Sequence, residues 1–149
     1  MAIQEPETTE VPLTERLREA LADAPVEGIV SGYLFGSHSE GRAHRESDID
    51  VGVLLDWRRH PTREERFEAR LRLIVRLSGA LRLHGPDLDL VILNDVPPLL
   101  GRRIIHGVRI FLADPEADHA YVRDVQLRAA DLAPWLERMR KIKLEALAR

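Results

Sequence analysis

The stretch that decides the fold is FGSHSEGRAHRESDID, residues 35–50, which lies between two apolar runs. The first run, GIVSGYLF, ends at Gly36-Ser37, and the second, VGVLL, directly follows Asp48-Ile49-Asp50. Both runs have the length and the β-branched content of buried strands. Burying a carboxylate costs several kcal/mol unless its charge is compensated. The two aspartates at the mouth of a strand therefore need a partner.

A divalent cation is a suitable partner for these aspartates. Side chains alternate between the faces of a strand, so Asp48 and Asp50 are predicted to share one face, where they repel each other. A bound cation reverses that penalty because it stabilises both ionised forms, and Mg²⁺ prefers ligand sets made only of oxygen. A second pair of the same form, Asp87 and Asp89, starts a later strand and offers a third carboxylate.

The Gly36-Ser37 pair has the features of a phosphate-binding turn. Glycine lets the backbone approach an anion closely, and backbone N–H groups together with a serine hydroxyl hold phosphate oxygens. Carboxylates for metal beside a turn for phosphate predict a metal–nucleoside triphosphate site, in which two ions stabilise an in-line displacement at phosphorus. A lone acidic pair at a strand end is common, and it is the full spacing that favours a site.

Outward from this stretch, the sequence predicts one α/β domain with the element order α-β-β-α-β-α-β-α. The loop between the first two strands is too short for an ordinary helix, so these strands are predicted to be antiparallel neighbours. The expected fold class is a small mixed sheet of about four strands with flanking helices. The predicted elements are a helix over about 13–22 capped by Thr14, strands over 28–35 and 48–55, a helix over 61–83, a strand over 87–93, a short helix closed by Gly107, a strand over 108–112, and a helical tail kinked or broken at Pro134.

Two helical stretches carry apolar stripes. In the long helix, spacings of three and four predict one buried face made of Phe67, Leu71, Ile74, Leu77 and Leu81. After the fourth strand comes a second stripe, made of Leu132, Trp135, Leu136, Met139 and Ile142. The second stripe either covers the sheet or binds a partner, and the sequence leaves both alternatives open.

Length and composition bound the remaining possibilities. The 149 residues suit one domain, divided into a mobile acidic tail over 1–12, the main domain over 13–114 and a helical extension over 115–149. The net charge of −3 argues against a protein that coats nucleic acid or membranes. There is no cysteine, no apolar stretch of about 18 residues and no secretory start, so we expect a cytoplasmic protein.

The pattern Gly-Ser, ten residues, Asp-x-Asp between two strands resembles the nucleotidyltransferase superfamily related to DNA polymerase beta. Together with DLDLVILNDVPPLLGRRIIHGVRIF, residues 87–111, it makes the chain similar to the minimal nucleotidyltransferases. These include MntA-type antitoxins that are paired with HEPN-domain ribonuclease toxins. The resemblance covers roughly residues 28–112.

The resemblance implies roles for individual residues. It assigns two Mg²⁺ ions to Asp48, Asp50 and Asp89, with Asp89 also activating the acceptor hydroxyl and Asp87 as the runner-up. It assigns the nucleotide to Gly36, Ser37, Arg42 and Ser47. The chain departs from many relatives at Glu40, where an arginine is usual, and Arg42, His44 or Arg45 is then expected to supply the positive charge.

The resemblance also implies an activity and a partner. The expected reaction is transfer of AMP from ATP to a tyrosine hydroxyl of a HEPN toxin, which forms a hetero-oligomer with this chain. The short chain supports an acceptor on another protein, because relatives that modify small molecules or polymerise nucleotides carry further domains. Two alternatives stay open: a catalytically impaired protein that neutralises its partner by contact, and a transferase acting on a small molecule or an RNA end.

Overall fold

The computed structural model describes residues 11–41, 48–81 and 87–148 of the chain. The predicted order of helices and strands is confirmed, and the boundaries move by only a few residues. The elements are α1 (Leu13–Ala22), β1 (Ile29–Phe35), β2 (Ile49–Leu55), α2 (Arg63–Leu81), β3 (Leu88–Ile92), α3 (Pro98–Ile105), β4 (Val108–Leu112) and α4 (Pro115–Leu147). Single 3₁₀ turns follow β1 at Gly36–His38 and β3 at Leu93–Asp95.

The four strands form one mixed sheet in the order β3-β2-β1-β4. Strand β1 runs antiparallel to both β2 and β4, whereas β2 and β3 are parallel. The expected antiparallel pairing of the first two strands is therefore confirmed. Because of these directions, the end of β1 and the starts of β2, β3 and β4 all lie at the same edge of the sheet.

Helices cover both faces of the sheet. On one face, α1 and α2 bury leucines against the strands in a core that includes Leu17, Leu73, Leu77, Val51 and Leu90. On the other face, α3 and the start of α4 close a second core that includes Tyr33, Phe35, Leu54, Leu93 and Ile104. Each fully buried aliphatic side chain contributes about 1.5–3 kcal/mol, so the second core, which contains Ile104, holds α3 on the sheet.

The buried face of α2 differs from the sequence prediction. Phe67 and Leu71 were expected inside, but 54% and 45% of their surfaces are exposed. The helix instead turns Arg66 inward, where its guanidinium pairs with Asp95 at 2.9 Å and lies 4.9 Å from the centre of the Trp57 ring. Because this ion pair is satisfied, the helix can bury the row that continues through Ala69, Leu73, Leu77 and Leu81.

The start of α1 and the proline within α4 also differ from the sequence prediction. Thr14 does not cap α1, because Pro12 occupies the N-cap position and no side chain there accepts a hydrogen bond. A kink or a break was expected at Pro134, and there is no break, since α4 is one helix of 33 residues with Pro134 inside it. Proline removes one intrahelical hydrogen bond, and the helix continues past that loss.

The second half of α4 leaves the domain without covering the sheet. The buried residues of α4 are Asp118, Val125 and Ala129, all in its first half. In the second half, Trp135 is 50% exposed and Ile142 is 56% exposed. The alternative in which this stripe covers the sheet is therefore wrong. Partner binding stays a prediction for it.

A buried polar network fixes the start of α4 to the sheet. The Tyr33 hydroxyl donates a hydrogen bond to Asp118 at 2.7 Å, and Arg109 lies 3.3 Å from the other oxygen of the same carboxylate. Burial and the neighbouring Asp118 carboxylate raise the pKa of Tyr33 well above its usual range, so its hydroxyl remains a donor.

Among the helices in the described ranges, none is both long and apolar enough to cross a membrane.

Candidate active site

The sheet topology brings the predicted site residues to one edge. Gly36 follows the last residue of β1, and Asp50 is the second residue of β2, paired in register with Phe35. Asp89 lies at the start of β3 and is the direct register partner of Asp50. The Gly-Ser turn and the carboxylates, which are far apart in the sequence, are therefore neighbours across three adjacent strands.

The carboxylates at this edge influence one another electrostatically. Partial burial raises the pKa of Asp50, and the negative charges of Asp89 and then Asp48 raise it further. The positive charges of Arg103 and His38 act in the opposite direction. Asp50 is thus the central carboxylate of the group, with Asp48 and Asp89 on either side and positive charge nearby.

The structure distinguishes Asp89 from Asp87, the runner-up for the third carboxylate. Asp89 is paired in register with Asp50, and its negative charge contributes to the raised pKa of Asp50. The charges that act on Asp50 do not include Asp87, whose backbone carbonyl oxygen accepts a hydrogen bond from the N–H of Ile49 at 2.9 Å. The geometry therefore favours Asp89 as the third member of the group.

The chemistry of this group fits a divalent cation. All its donors are carboxylate oxygens, and their mutual repulsion is what a cation relieves. Within residues 11–41, 48–81 and 87–148, no three His, Asp or Glu side chains are already gathered closely enough to hold a metal ion.

Gly36 allows the turn after β1 to press against Asp50. Its φ of +73° lies in the left-handed region that favours glycine. A Cβ atom at this position would overlap the Oδ2 oxygen of Asp50. The carbonyl oxygen of Gly36 accepts hydrogen bonds from the backbone N–H groups of Ser39 and Glu40, both at 3.2 Å, and from the Ser39 hydroxyl at 2.8 Å. The loop thus folds tightly around this glycine, with Ser37 half-buried in the same turn.

A cavity of about 430 Å³ opens beside this turn. Its far wall is the C-terminal half of α3, which reaches the site because β4 starts at the same edge where β1 ends. Close packing there depends on Gly107, where a Cβ atom would overlap the carbonyl oxygen of Leu34. The cavity is lined by Gly36, Ser39, Glu40, Leu99, Arg102, Arg103, His106 and Gly107.

The basic residues Arg102, Arg103 and His106 line the cavity beside the turn and were not selected as candidates from the sequence. The available signal was the cluster GRRIIHG directly before β4. Of the residues predicted to bind nucleotide, Arg42 and Ser47 lie outside the described residues, as do His44 and Arg45. Glu40, which stands where many relatives have arginine, lines the cavity that contains Arg102 and Arg103.

The fold and site define a nucleotidyltransferase domain of the polymerase beta type. The chain belongs to the family described as Polymerase beta, Nucleotidyltransferase, whose model matches residues 15–116, and the family predicted from the sequence pattern is confirmed. Among curated proteins, it is similar to the protein adenylyltransferase MntA of Shewanella oneidensis, with 36% identity over 75 residues. That match covers 49% of this chain and 46% of MntA, so the chain spans about half the length of this relative.

Solved structures with the same fold come from toxin–antitoxin systems. One is the crystal structure of a toxin–antitoxin with AMP-PNP, with a TM-score of 0.63, 24% identity, and coverage of 93% of this chain and 100% of the other. Another is the tri-AMPylated Shewanella oneidensis HEPN toxin in complex with MNT antitoxin, with a TM-score of 0.56, 21% identity, and coverage of 91% and 96%. At these identities, the two structures support the fold.

Proposed function

We propose that this protein transfers AMP from ATP to a hydroxyl group of a partner HEPN toxin and thereby acts as its antitoxin. The observation that carries the proposal is the convergence of Gly36, Asp50 and Asp89 at one sheet edge, beside a cavity with basic walls. The nucleotide and the partner are proposed from the relatives, which include a protein adenylyltransferase and an AMPylated toxin.

In this proposal, Asp48, Asp50 and Asp89 hold two Mg²⁺ ions. When bound, the ions neutralise the charge on the phosphates and the charge that develops on the attacking and leaving oxygens. Burial, and after it the negative charges of Asp89 and Asp48, raise the pKa of Asp50, and a bound cation would relieve the part of this shift that comes from repulsion.

The reaction is an in-line displacement at the α-phosphorus. The acceptor hydroxyl oxygen forms a bond to this phosphorus, while the bond from the phosphorus to the oxygen that bridges to the β-phosphorus breaks. Pyrophosphate leaves with that bond's electron pair, and the hydroxyl proton passes to the Asp89 carboxylate. Backbone N–H groups of the turn at Gly36–His38 and the Ser37 hydroxyl donate hydrogen bonds to the phosphates.

The exposed stripe on the second half of α4 supports a protein partner. Trp135, Met139 and Ile142 follow each other at helical spacing and are each about half exposed. Exposed aromatic and methionine side chains in one patch are typical of protein interfaces. We propose that this stripe binds the HEPN toxin, whose tyrosine hydroxyl is the acceptor.

The decisive experiment is transfer of labelled AMP to the partner. The chain is incubated with a purified HEPN partner, Mg²⁺ and ATP labelled at the α-phosphate, and the intact mass of the partner is measured. We expect the mass to rise by one or more AMP units. Inhibition of the partner's ribonuclease activity without nucleotide or label would instead support the contact-only alternative. Label on RNA or on a small molecule would support a different acceptor.

Asparagine substitutions at Asp89 and Asp87 form a matched pair that tests the third carboxylate. We expect Asp89→Asn to lower the rate of AMP transfer by about 100- to 10,000-fold, because a positioned general base contributes that much. Asp87→Asn removes the same charge two residues away and is expected to change the rate less than about threefold, since its backbone role is retained. Single-turnover kinetics measures both rates. A larger loss at Asp87 would reverse the assignment.

A further inference from the structure

We propose that α3 supplies a phosphate subsite in which Arg102 and Arg103 hold the β- and γ-phosphates of the donor and then the leaving pyrophosphate. This inference rests on the proposed function and extends it beyond the Gly-Ser and Asp-x-Asp residues. The subsite is the cavity of about 430 Å³ between the turn at Gly36 and the C-terminal half of α3.

The turn at Gly36 lies between the cavity and the carboxylate group. Gly36 lines the cavity on one side and packs against the Oδ2 oxygen of Asp50 on the other. Arg103 lines the same cavity as Gly36, on its α3 wall. In this proposal, a phosphate chain that begins at the carboxylates passes the Gly36 turn and enters this cavity.

The chemistry of the cavity wall suits a polyphosphate. Arg102 and Arg103 are exposed and lie one helical turn before His106, so all three lie on or beside one face of α3. Guanidinium groups bind phosphate oxygens with two parallel hydrogen bonds. Two adjacent arginines match the two phosphates beyond the α-phosphate. They also place positive charge beside Glu40, the position where many relatives carry arginine.

The arginines stand on a well-supported helix. Ile104, between them and His106, is fully buried in the second core. Beneath Gly101, α4 approaches so closely that a Cβ atom would lie 2.8 Å from both the Tyr121 hydroxyl and a Val125 methyl group. The Tyr121 hydroxyl itself donates a hydrogen bond to the carbonyl of Leu93 at 3.0 Å. This packing keeps the basic face of α3 in a fixed position relative to Asp50.

The subsite gives the reaction a direction. If pyrophosphate leaves toward α3, an in-line attack on the α-phosphorus must come from the opposite side of Asp50. In the sheet order β3-β2-β1-β4, that opposite side is the edge strand β3, which carries Asp89. The acceptor hydroxyl then approaches across Asp89, the residue proposed to take its proton.

Binding of three probes tests the subsite: AMP-PNP, inorganic pyrophosphate and AMP, each with Mg²⁺, measured by isothermal titration calorimetry. The variants are Arg102→Gln and Arg103→Gln, alone and together, with Arg18→Gln on the far face of the sheet as the matched control. A hydrogen bond to a charged group contributes about 1.5–3 kcal/mol, so each substitution in α3 should weaken AMP-PNP and pyrophosphate about tenfold or more. Affinity for AMP should change less than about twofold, and Arg18→Gln should change nothing.

Several outcomes would overturn the inference. If the variants bind AMP as much more weakly as they bind AMP-PNP, the arginines contact the nucleoside end of the ligand. If the variants bind AMP-PNP as tightly as the wild-type protein does, the arginines are not part of the site, even when the wild-type protein labels the partner. Arginine-dependent pyrophosphate binding by a protein that transfers no AMP would instead reject the proposed function and keep the anion subsite. If the wild-type protein binds none of the three probes, both fail. Arg103→Lys keeps the charge and should lose less affinity than Arg103→Gln, and thermal melting verifies that each variant is folded.

Discussion

Replacing Asp48 and Asp50 together by asparagine is expected to lower AMP transfer about a thousandfold or more. These two side chains supply most of the negative charge that is proposed to hold the metal ions, and Asp50 is the central member of the group. Metal-bound charge stabilisation is worth several kcal/mol in the transition state, and each 1.4 kcal/mol or so is a factor of ten in rate. Transfer of labelled AMP to the partner, measured under single-turnover conditions with excess protein, gives the rate.

The same double variant should remain folded, which separates lost chemistry from lost structure. Without metal, the substitution removes like charges that repel at one sheet edge, so the melting temperature should stay the same or rise. In wild-type protein, Mg²⁺ with AMP-PNP should raise the melting temperature by binding only the folded state, and the double variant should lose this increase. Glu15→Gln with Glu19→Gln, an exposed pair on α1, is the charge-matched control. Undiminished transfer by the Asp48 and Asp50 variant would contradict the metal assignment.

The approach of the Gly-Ser turn to the aspartates could be predicted from the sequence, because it follows from local rules of strand geometry. The Gly-Ser turn and Asp-x-Asp lie at the two ends of one loop between two strands, and antiparallel pairing of these strands is enough to join Gly36 to Asp50. The third carboxylate required only that β3 lie parallel to β2, which makes Asp89 the partner of Asp50. The alternation of side chains along a strand and the directions of the strands therefore explain nearly all of the arrangement of the glycine turn and the carboxylates.

The basic wall of the cavity depended on information that local patterns do not contain. Arg102 and Arg103 are about 65 residues from the Gly-Ser turn, and only the pairing of β4 with β1 brings α3 to the same edge. From the sequence alone, the missing positive charge was expected within the same loop, at Arg42, His44 or Arg45. Helix-terminal basic residues in the primary sequence look the same whether they face solvent or a neighbouring loop.

The prediction of the buried face of α2 failed for a different reason. Two apolar rows overlap on this helix and share Leu77 and Leu81, so spacing alone supports either one. The structure buries the row that begins with Arg66, a residue that hydrophobic periodicity excludes from a core. Its burial depends on a long-range pairing with Asp95, together with a hydrogen bond to the carbonyl of His60 at 2.9 Å. A side chain satisfied by partners from two loops cannot be recognised from its own helix.

The substitution Gly36→Ala is expected to lower AMP transfer about 100-fold and to destabilise the fold. Alanine at a φ of +73° costs about 1–2 kcal/mol in backbone strain. Its Cβ atom also overlaps the Oδ2 oxygen of Asp50, so either the carboxylate or the phosphate-binding turn must move. A displacement of about 1 Å in a reacting group is enough for a loss of this size. Single-turnover transfer and thermal melting measure the two effects separately.

Gly41 provides the control, because it shares the strain of Gly36 without sharing its contacts. Its φ is +70°, and among the described residues nothing lies within 4 Å of the position its Cβ would take. Gly41→Ala should therefore lower the melting temperature by the strain alone and leave most of the transfer rate intact. The difference between the two alanine variants isolates the contact of the turn with Asp50. Equal loss of transfer in both would show that the rate depends on loop conformation, and the contact of Gly36 with Asp50 would then have no part in positioning the phosphates.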